Sequence, residues 1–125
     1  MLNGGSGTDT LAFSVTGDID TTADATDAHY VLQAVNTSSV EKILISNFED
    51  STDADANVYY DAAIATGLTT VGLSSSGDEG DTVFQNVRNI VNAEMANGTA
   101  DLTVSYISST VTAGTADAMS LTLSN

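Results

Sequence analysis

The sequence predicts an all-β protein, with a parallel β-helix or β-roll-like solenoid of short strands as its architecture. Thr, Ser, Val, Ile and Tyr dominate the ordered-looking stretches, whereas Ala, Gly, Asp and Asn fill the gaps between them, a mixture that favours strands joined by turns. Apolar residues alternate with small or polar ones, as in half-buried strands. A glycine-rich turn over residues 2–12 favours the solenoid. The absence of proline and the tight-turn dipeptide Asn97-Gly98 leave an antiparallel β-sandwich as the alternative.

The alternation predicts about seven or eight strands along the chain. In chain order the clear strands are Leu11–Val15, Val40–Phe48, Val58–Tyr60, Leu68–Leu73, Leu102–Tyr106 and Ala118–Leu123. Acidic or glycine-bearing loops separate several of them. Residues 109–116 are mostly small and are predicted to form a loop before the last strand.

Two segments fit both a helix and a strand. Residues 29–35 have apolar positions that suit either one helical turn or a strand. Residues 83–95 carry apolar residues at helical spacing, and Asp81 is a suitable helix N-cap. However, the run Asn86–Val91 has the same form as the run Ser39–Leu44, which indicates a repeated unit. We therefore predict a strand in residues 83–95 and keep the helix as the alternative.

The glycine-rich turn fits the nonapeptide G-G-x-G-x-D-x-U-x, which binds calcium in parallel β-rolls. Gly4, Gly5 and Gly7 can adopt backbone angles that other residues avoid, so that the chain turns tightly and carbonyl oxygens point inward. Asp9 adds a carboxylate, and hard Ca²⁺ prefers oxygen ligands. Leu11 follows as the apolar residue of the next strand. A turn without metal is the alternative, because such calcium ions are shared between neighbouring copies and this chain has one copy.

Beyond this turn, the chain resembles the RTX-type S-layer proteins of Gram-negative bacteria. The resemblance lies in the turn and strand Gly4–Val15, the Val-Glu-x-aliphatic strand Ser39–Ile45, the Gly-Leu-Thr strand Gly67–Leu73 and the closing strand Asp117–Leu123. Proteins of that family are exported by type I systems and crystallise on the cell surface. The resemblance implies an extracellular structural protein of a bacterial surface, whose export needs no cleaved N-terminal signal.

The charge balance narrows the range of partners. Seventeen acidic residues and two basic ones, Lys42 and Arg88, give a formal net charge of −15 at pH 7. Nucleic acid is excluded as a partner, because phosphate binding needs clustered Lys and Arg. A surface this acidic repels itself unless salt or bound cations screen it. Divalent cations or a saline exterior would provide that screening.

Acidic clusters in loops are further candidate calcium ligands. An Asp-x-Asp spacing can place two carboxylates around one ion, with main-chain carbonyls completing about six to eight ligands. For each cluster the alternative is a solvated acidic loop that improves solubility. The clusters are Asp18 with Asp20, Glu49 and Asp50 with Asp53 and Asp55, and Asp78 and Glu79 with Asp81.

No catalytic constellation emerges from the sequence. His29 is the only histidine, and it stands beside Tyr30 in a chain without a G-x-S-x-G serine motif. Cysteine is absent, which excludes disulfides, thiolate metal sites and cysteine nucleophiles. No apolar run approaches the roughly 20 residues of a membrane span, so we expect no membrane insertion.

We therefore expect one β-rich domain over residues 1–125, or a fragment of a longer surface protein that starts at Met1. The predicted function is non-enzymatic: a structural module of a bacterial extracellular surface layer or filament, in which Ca²⁺ bridges acidic loops. The predicted partners are copies of the same chain in a lattice or filament, and a cell-surface polysaccharide is a further candidate. The alternative function is a carbohydrate-binding adhesin or fibre module on the same fold.

Overall fold

The computed structural model describes residues 1–17, 29–32, 35–49, 57–77, 81–112 and 118–125. These residues form twelve β-strands and one short helix, which confirms the all-β prediction. The elements are β1 (Leu2–Asn3), β2 (Thr10–Gly17), β3 (His29–Leu32), β4 (Thr37–Ser38), β5 (Lys42–Glu49), β6 (Asn57–Asp61), β7 (Ala65–Thr66), β8 (Thr70–Ser76), β9 (Thr82–Val87), β10 (Asn92–Ala96), β11 (Leu102–Tyr106), α1 (Ser108–Thr112) and β12 (Leu121–Ser124).

The strands assemble into three parallel sheets. Sheet A has the order β1-β4-β7, sheet B the order β12-β10-β8-β5-β2, and sheet C the order β11-β9-β6-β3. From β1 to β9 the chain visits sheets A, B and C in turn, one strand further along each time, so that it winds in coils. From β10 to β12 it alternates between sheets B and C without a further strand in sheet A. This arrangement is a parallel β-solenoid, as predicted. The antiparallel sandwich is wrong, because every described strand pair is parallel.

Sheet B places one side chain per coil at each of two inward positions, so that two rows of stacked inward side chains, here called files, run along the solenoid. Both files start on β2, at Leu11 and Phe13, and end on β12, at Leu121 and Leu123. Between these ends the first file contains Ile43, Val71 and Ala93, and the second contains Ile45, Leu73 and Met95. The period of two on each strand therefore becomes a continuous apolar stack along the solenoid.

Aromatic rings from two sheets meet in the core. Tyr60 on β6 lies between Phe13 of sheet B and Phe84 on β9, with ring centroids 5.9 and 5.5 Å away, respectively. These separations suit favourable aromatic pairs. Burial, and to a lesser extent the neighbouring Asp61 carboxylate, raise the pKa of Tyr60 to about 12, although the Val35 backbone offsets part of the increase. The Tyr60 hydroxyl oxygen is inaccessible and has no hydrogen-bond partner of acceptable geometry among the described residues, so the fold favours the neutral phenol.

A buried amide ties sheets B and C together at their shared corner. The side chain of Asn47 on β5 is completely buried, and its amide donates to the Thr82 hydroxyl on β9 at 3.1 Å. The Gly77 N–H donates to the main-chain carbonyl oxygen of the same residue, Asn47, at 2.8 Å. An unpaired buried amide would cost about 1–3 kcal/mol, so this pairing fixes how the chain passes from one sheet to the other.

One ion pair crosses the outer face of sheet B. The Lys42 amine contacts both carboxylate oxygens of Glu94, at 2.8 and 2.9 Å. The strand between them, β8, has Gly72 on its outward face, where a Cβ would collide with the Glu94 carbonyl oxygen. The missing side chain therefore leaves room for the pair to form across the intervening coil. Both partners are partly exposed, so the pair contributes about 1 kcal/mol or less.

Both ambiguous segments contain strands. Residues 29–32 form β3, and residues 83–95 contribute to β9 and β10, so the helix alternative is wrong for the second segment. The repeated unit is not the one that the sequence match indicated. Lys42 pairs with Thr70, which pairs with Asn92, whereas the matched runs align Lys42 with Asn89. Coils of unequal length shift the structural repeat away from the resemblance in sequence.

One of two turn predictions needs correction. Asn97-Gly98 turns the chain as predicted, with a φ of 53° at Asn97, and it connects β10 in sheet B with β11 in sheet C. Residues 108–112 form helix α1 in a stretch that was predicted as a loop. The Thr110 hydroxyl donates to the Arg88 carbonyl oxygen at 2.7 Å, which ties this helical turn to the preceding coil.

Replacement of Tyr60 by Phe tests the buried phenol. Its pKa of about 12 exceeds the unfolded value of about 10, so the unfolded chain ionises first and the free energy of unfolding falls as the pH rises above about 10. We expect this group to remove about 2 kcal/mol between about pH 8 and 11.5, and Tyr60→Phe to lack that part of the decrease. Urea unfolding followed by circular dichroism measures both profiles.

The matched control is Tyr59→Phe, which alters the neighbouring tyrosine on the same strand and retains Tyr60. This variant should follow the wild-type profile. Identical alkaline profiles for the wild type and Tyr60→Phe would show that burial does not hold the phenol neutral.

Candidate metal centre

The glycine-rich turn connects β1 to β2 and has the backbone angles that the motif requires. Gly5 and Gly7 have φ values of 92° and 124°, which glycine reaches without the penalty that a Cβ imposes. Gly4 is required for a different reason: a Cβ there would collide with the Ser39 carbonyl oxygen and lie 2.7 Å from the Asp9 Cβ. The turn therefore packs directly onto the next coil, and the Asp9 side chain folds over Gly4.

Asp9 is held in this corner through its backbone, while part of its carboxylate is left unpaired. Its carbonyl oxygen accepts the N–H groups of Glu41 and Lys42, each at 3.1 Å. Its own N–H donates to the Glu41 carboxylate at 2.9 Å. The Oδ2 atom of Asp9 is inaccessible and has no hydrogen-bond partner among the described residues. A buried carboxylate oxygen without a donor is unfavourable unless a cation or water compensates it.

Glu41 is the site residue that the sequence did not reveal. Thr10 pairs with Lys42 in the register of β2 and β5, which puts Glu41 beside Asp9 on the neighbouring coil. The sequence shows Glu41 only as a polar residue at the start of a strand, 32 positions from Asp9. The length of the whole coil between them, which includes β2, β3 and β4, sets this register, so sequence spacing alone could not place the two residues together.

Neither Lys42 nor Arg88 forms an ion pair with Asp9 or Glu41. The Lys42 amine binds Glu94 on the outer face of sheet B. The Arg88 Nε donates to the Ala63 carbonyl oxygen at 2.8 Å, in another corner of the solenoid. The negative charge of the Asp9–Glu41 corner is thus left for solvent or a bound cation to offset.

Asp81 has a structural use in the fold. Its Oδ1 atom accepts the Asp101 N–H at 3.1 Å, and its own N–H donates to the Asn57 side-chain oxygen at 3.0 Å. Asn57 begins β6, and Asp81 and Asp101 immediately precede β9 and β11, so hydrogen bonds from backbone N–H groups to side-chain oxygens form a ladder at the entry to sheet C. Asp81 can still offer its second oxygen to a metal ion.

The other predicted ligands do not have described side chains. Glu49 ends β5, but only its backbone is described. The remaining predicted ligands lie outside the described residues: Asp18, Asp20, Asp50, Asp53, Asp55, Asp78 and Glu79. Within the described ranges, no group of three or more His, Cys, Asp or Glu residues comes together. Metal binding by the acidic loops therefore stays a prediction.

The chemistry of the Asp9–Glu41 corner fits a hard cation such as Ca²⁺. Calcium takes about six to eight oxygen ligands, and carboxylates combine with backbone carbonyls and water to supply them. Asp9 and Glu41 provide the charged oxygens, and the turn through Gly4, Gly5 and Gly7 provides carbonyl groups. Because this corner has two carboxylates and not three, backbone carbonyls or water would have to complete the coordination shell.

Comparisons with known proteins do not assign a family. No protein-family model matches the chain, and neither a curated protein nor a solved structure matches it. Among the described residues, no helix has the length and apolar character needed to cross a membrane. The function must therefore be argued from the fold, the charge and the Asp9–Glu41 corner.

Replacement of Gly4 by Ala tests the packing of the turn. The added Cβ meets the Ser39 carbonyl oxygen of the neighbouring coil, so we expect a decrease of about 1–3 kcal/mol in the free energy of unfolding. Ser6→Ala, a change of one side-chain atom at an exposed position of the same turn, should stay within about 0.5 kcal/mol of the wild type. Equal urea midpoints for the two variants would contradict the close approach at Gly4.

Proposed function

We propose that the chain is a non-enzymatic structural module of a bacterial extracellular surface layer or filament, folded and assembled with Ca²⁺. The observation that carries this proposal is the buried, unpartnered Oδ2 of Asp9, which lies one coil from the Glu41 carboxylate. A divalent cation in this corner would compensate both groups at once. The parallel solenoid and the net charge of −15 supply the context in which such a cation has a mechanical effect.

The roles of the residues follow from their positions. Asp9 and Glu41 belong to consecutive coils, so a cation held by both would lock the first coil onto the second. The glycine turn brings backbone oxygens close to the ion, because Gly5 and Gly7 reverse the chain within a few residues. Bound Ca²⁺ supplies positive charge and no chemistry beyond it. The protein residues position the oxygens and transmit the binding free energy to the stacking of the coils.

The acidic loops extend the same argument to the surface. Seventeen acidic residues against two basic ones make copies of the chain repel one another at low ionic strength. Divalent cations or high salt would reduce that repulsion and permit contact. In a cytosol with little free calcium the chain would stay loosely folded and suited to export, and it would become rigid outside the cell.

The carbohydrate-binding alternative ranks second. Sugar-binding grooves use exposed aromatic side chains, which offer an apolar face with a polar edge. Among the aromatic side chains whose burial is described, Phe48 alone is more than a third exposed, at 45 %. One exposed ring does not make a platform, so this fold offers the adhesin function less support than the calcium-dependent structural one.

Calcium titration by calorimetry tests the metal site. We expect the wild type to bind Ca²⁺ and to gain about 2.7 kcal/mol in the free energy of unfolding when calcium is in 100-fold excess over Kd. Asp9→Asn and Glu41→Gln should each weaken one binding event by about tenfold or more, since each removes a charged ligand. Asp61→Asn removes the same charge elsewhere, at a side chain that accepts hydrogen bonds from Ala63 and Asn86, and should bind as the wild type does.

An absence of binding heat, with the same stability in calcium and in EDTA, would exclude calcium as the folding cofactor. Binding that survives both Asp9→Asn and Glu41→Gln would place the ion in the acidic loops instead of the Asp9–Glu41 corner.

Assembly gives a second test of the proposed function. Electron microscopy and light scattering should show sheets or filaments after calcium is added, and dispersed chains in EDTA at low salt, because the cation removes the repulsion. A sugar array in EDTA discriminates the alternative. Glycan binding without calcium, together with no assembly in calcium, would favour the adhesin function.

A further inference from the structure

The strands at the two ends of the solenoid carry no charged residue. The N-terminal end consists of β1, β2 and β3, and the C-terminal end consists of β11 and β12, the last strands of sheets C and B. None of these five described strands contains Asp, Glu, Lys or Arg. The charged residues in described strands lie on interior ones, at Lys42, Glu49, Asp61 and Glu94. In a chain with 17 acidic residues, the ends are the uncharged part of the sheets.

Edge strands of soluble proteins usually show the opposite pattern. An exposed edge presents unpaired N–H and C=O groups that template pairing with another chain, and proteins block it with lysines, prolines, inward charges or bulges. Strands β2 and β12 have none of these features: they carry no charge or proline, and each pairs regularly with one neighbour among the described strands. In the described part of the chain, the outer edge of each strand is therefore open to a further strand.

The C-terminal edge also exposes the core files. Leu121 and Leu123 on β12 are 61 % and 69 % exposed, although they occupy the inward positions that are buried in the middle coils. A cavity of about 420 Å³ opens beside this edge, lined in part by Leu73, Met95 and Leu123. Another strand that continues sheet B beyond β12 would cover both leucines.

The N-terminal edge offers the matching surface. Leu11 and Phe13 on β2 begin the same two files and are packed against Ile43 and Ile45 of the neighbouring strand. Within the described residues, no strand pairs with the opposite edge of β2. The two ends of sheet B thus carry apolar residues at equivalent positions and run in the same direction.

We propose that β2 of a second copy of this chain pairs, in parallel, with β12, so that sheet B continues from one molecule into the next. This proposal rests on the proposed function, because it presupposes that the module self-assembles and identifies the contact by which it does so. Continuing the register places Leu11 of the second copy on Leu121 and Phe13 on Leu123. Because the contact joins two different surfaces, it does not close on itself and generates a filament.

An antiparallel pairing of β12 with β12 about a twofold axis is the competing arrangement. It would close after two copies and leave β2 uncovered at both outer ends. The parallel arrangement is favoured because every described strand pair is parallel, and because it covers both uncharged edges with one contact.

Disulfide cross-linking distinguishes these arrangements, because the chain has no native cysteine. Ala12 and Thr122 are exposed on the outer face of β2 and β12, and the proposed register makes them neighbours, at about the 4.8 Å that separates paired strands. A mixture of Ala12→Cys and Thr122→Cys should give a cross-linked heterodimer on oxidation. The double variant should give a ladder of higher oligomers, and Thr122→Cys alone should stay uncross-linked.

A cross-linked dimer from Thr122→Cys alone would establish the twofold arrangement and overturn the proposal. No cross-link in any of the three samples, at concentrations where the wild type assembles, would also overturn it.

A charge placed in the exposed file gives an independent measurement. Leu123→Lys changes a side chain that is largely exposed in the single chain, so the fold should persist, as circular dichroism can verify. Association measured by sedimentation should weaken by about tenfold to a hundredfold, since a leucine loses its burial. The matched control is Ile64→Lys, at a 43 % exposed residue between β6 and β7 of an interior coil, which should assemble as the wild type does.

Salt conditions separate this interface from the calcium site. In EDTA with about 1 M NaCl the Debye length is about 3 Å, so the repulsion between copies is screened without a divalent cation. If cross-links form under these conditions and calorimetry shows no heat of calcium binding, the strand-pairing interface is supported and the metal mechanism is rejected. Calcium binding without any association of the wild type in either condition would remove the interface and retain the metal site.

Discussion

The parallel register of sheet B is the constraint on which the rest of the structure depends. It aligns Leu11 with Ile43 and Val71, and each further coil adds one inward side chain to the same file. Paired residues of this sheet are therefore stacked on their counterparts about 4.8 Å away. The rule that builds the apolar core also stacks the corners, where it brings Glu41 against Asp9. Core and candidate metal centre are two results of one alignment.

Stacking makes an acidic sequence difficult to fold, because like charges at the same position of adjacent coils face each other at close range. Two carboxylates about 5 Å apart repel by about 3 kcal/mol at an effective dielectric constant of about 20. The fold answers in different ways. Glu94 is paired with Lys42 across Gly72, and Asp81 accepts a backbone N–H from the next coil. Among the described residues, the Asp9 Oδ2 atom has neither a cationic partner nor a backbone N–H donor. This unpaired carboxylate oxygen is the physical reason for placing a cation there.

The sequence predicted what depends on local periodicity and missed what depends on loop length. Alternation over Leu102–Tyr106 predicted β11 to the residue, and the strands around Phe13 and Ile45 were also predicted. Sheet A could not be found in this way, because its strands have two residues each and no period can be read from them. The partner of Asp9 was missed for a related reason: Glu41 becomes its neighbour only because the coil that runs from β2 through β3 and β4 to β5 has the length that sets this register.

The distribution of charge links the two proposals. Acidic residues act over the Debye length, about 8 Å at physiological ionic strength, whereas strand pairing between β12 and β2 acts only at contact. On an otherwise acidic molecule, repulsion therefore keeps other copies away from an uncharged edge. Once salt or cations screen that repulsion, the edge can pair with a strand of another copy. Charged edge strands would have prevented pairing under all conditions. With the charges confined to loops and interior strands, ionic conditions alone could decide whether Leu121 and Leu123 stay exposed or become part of a continuous core.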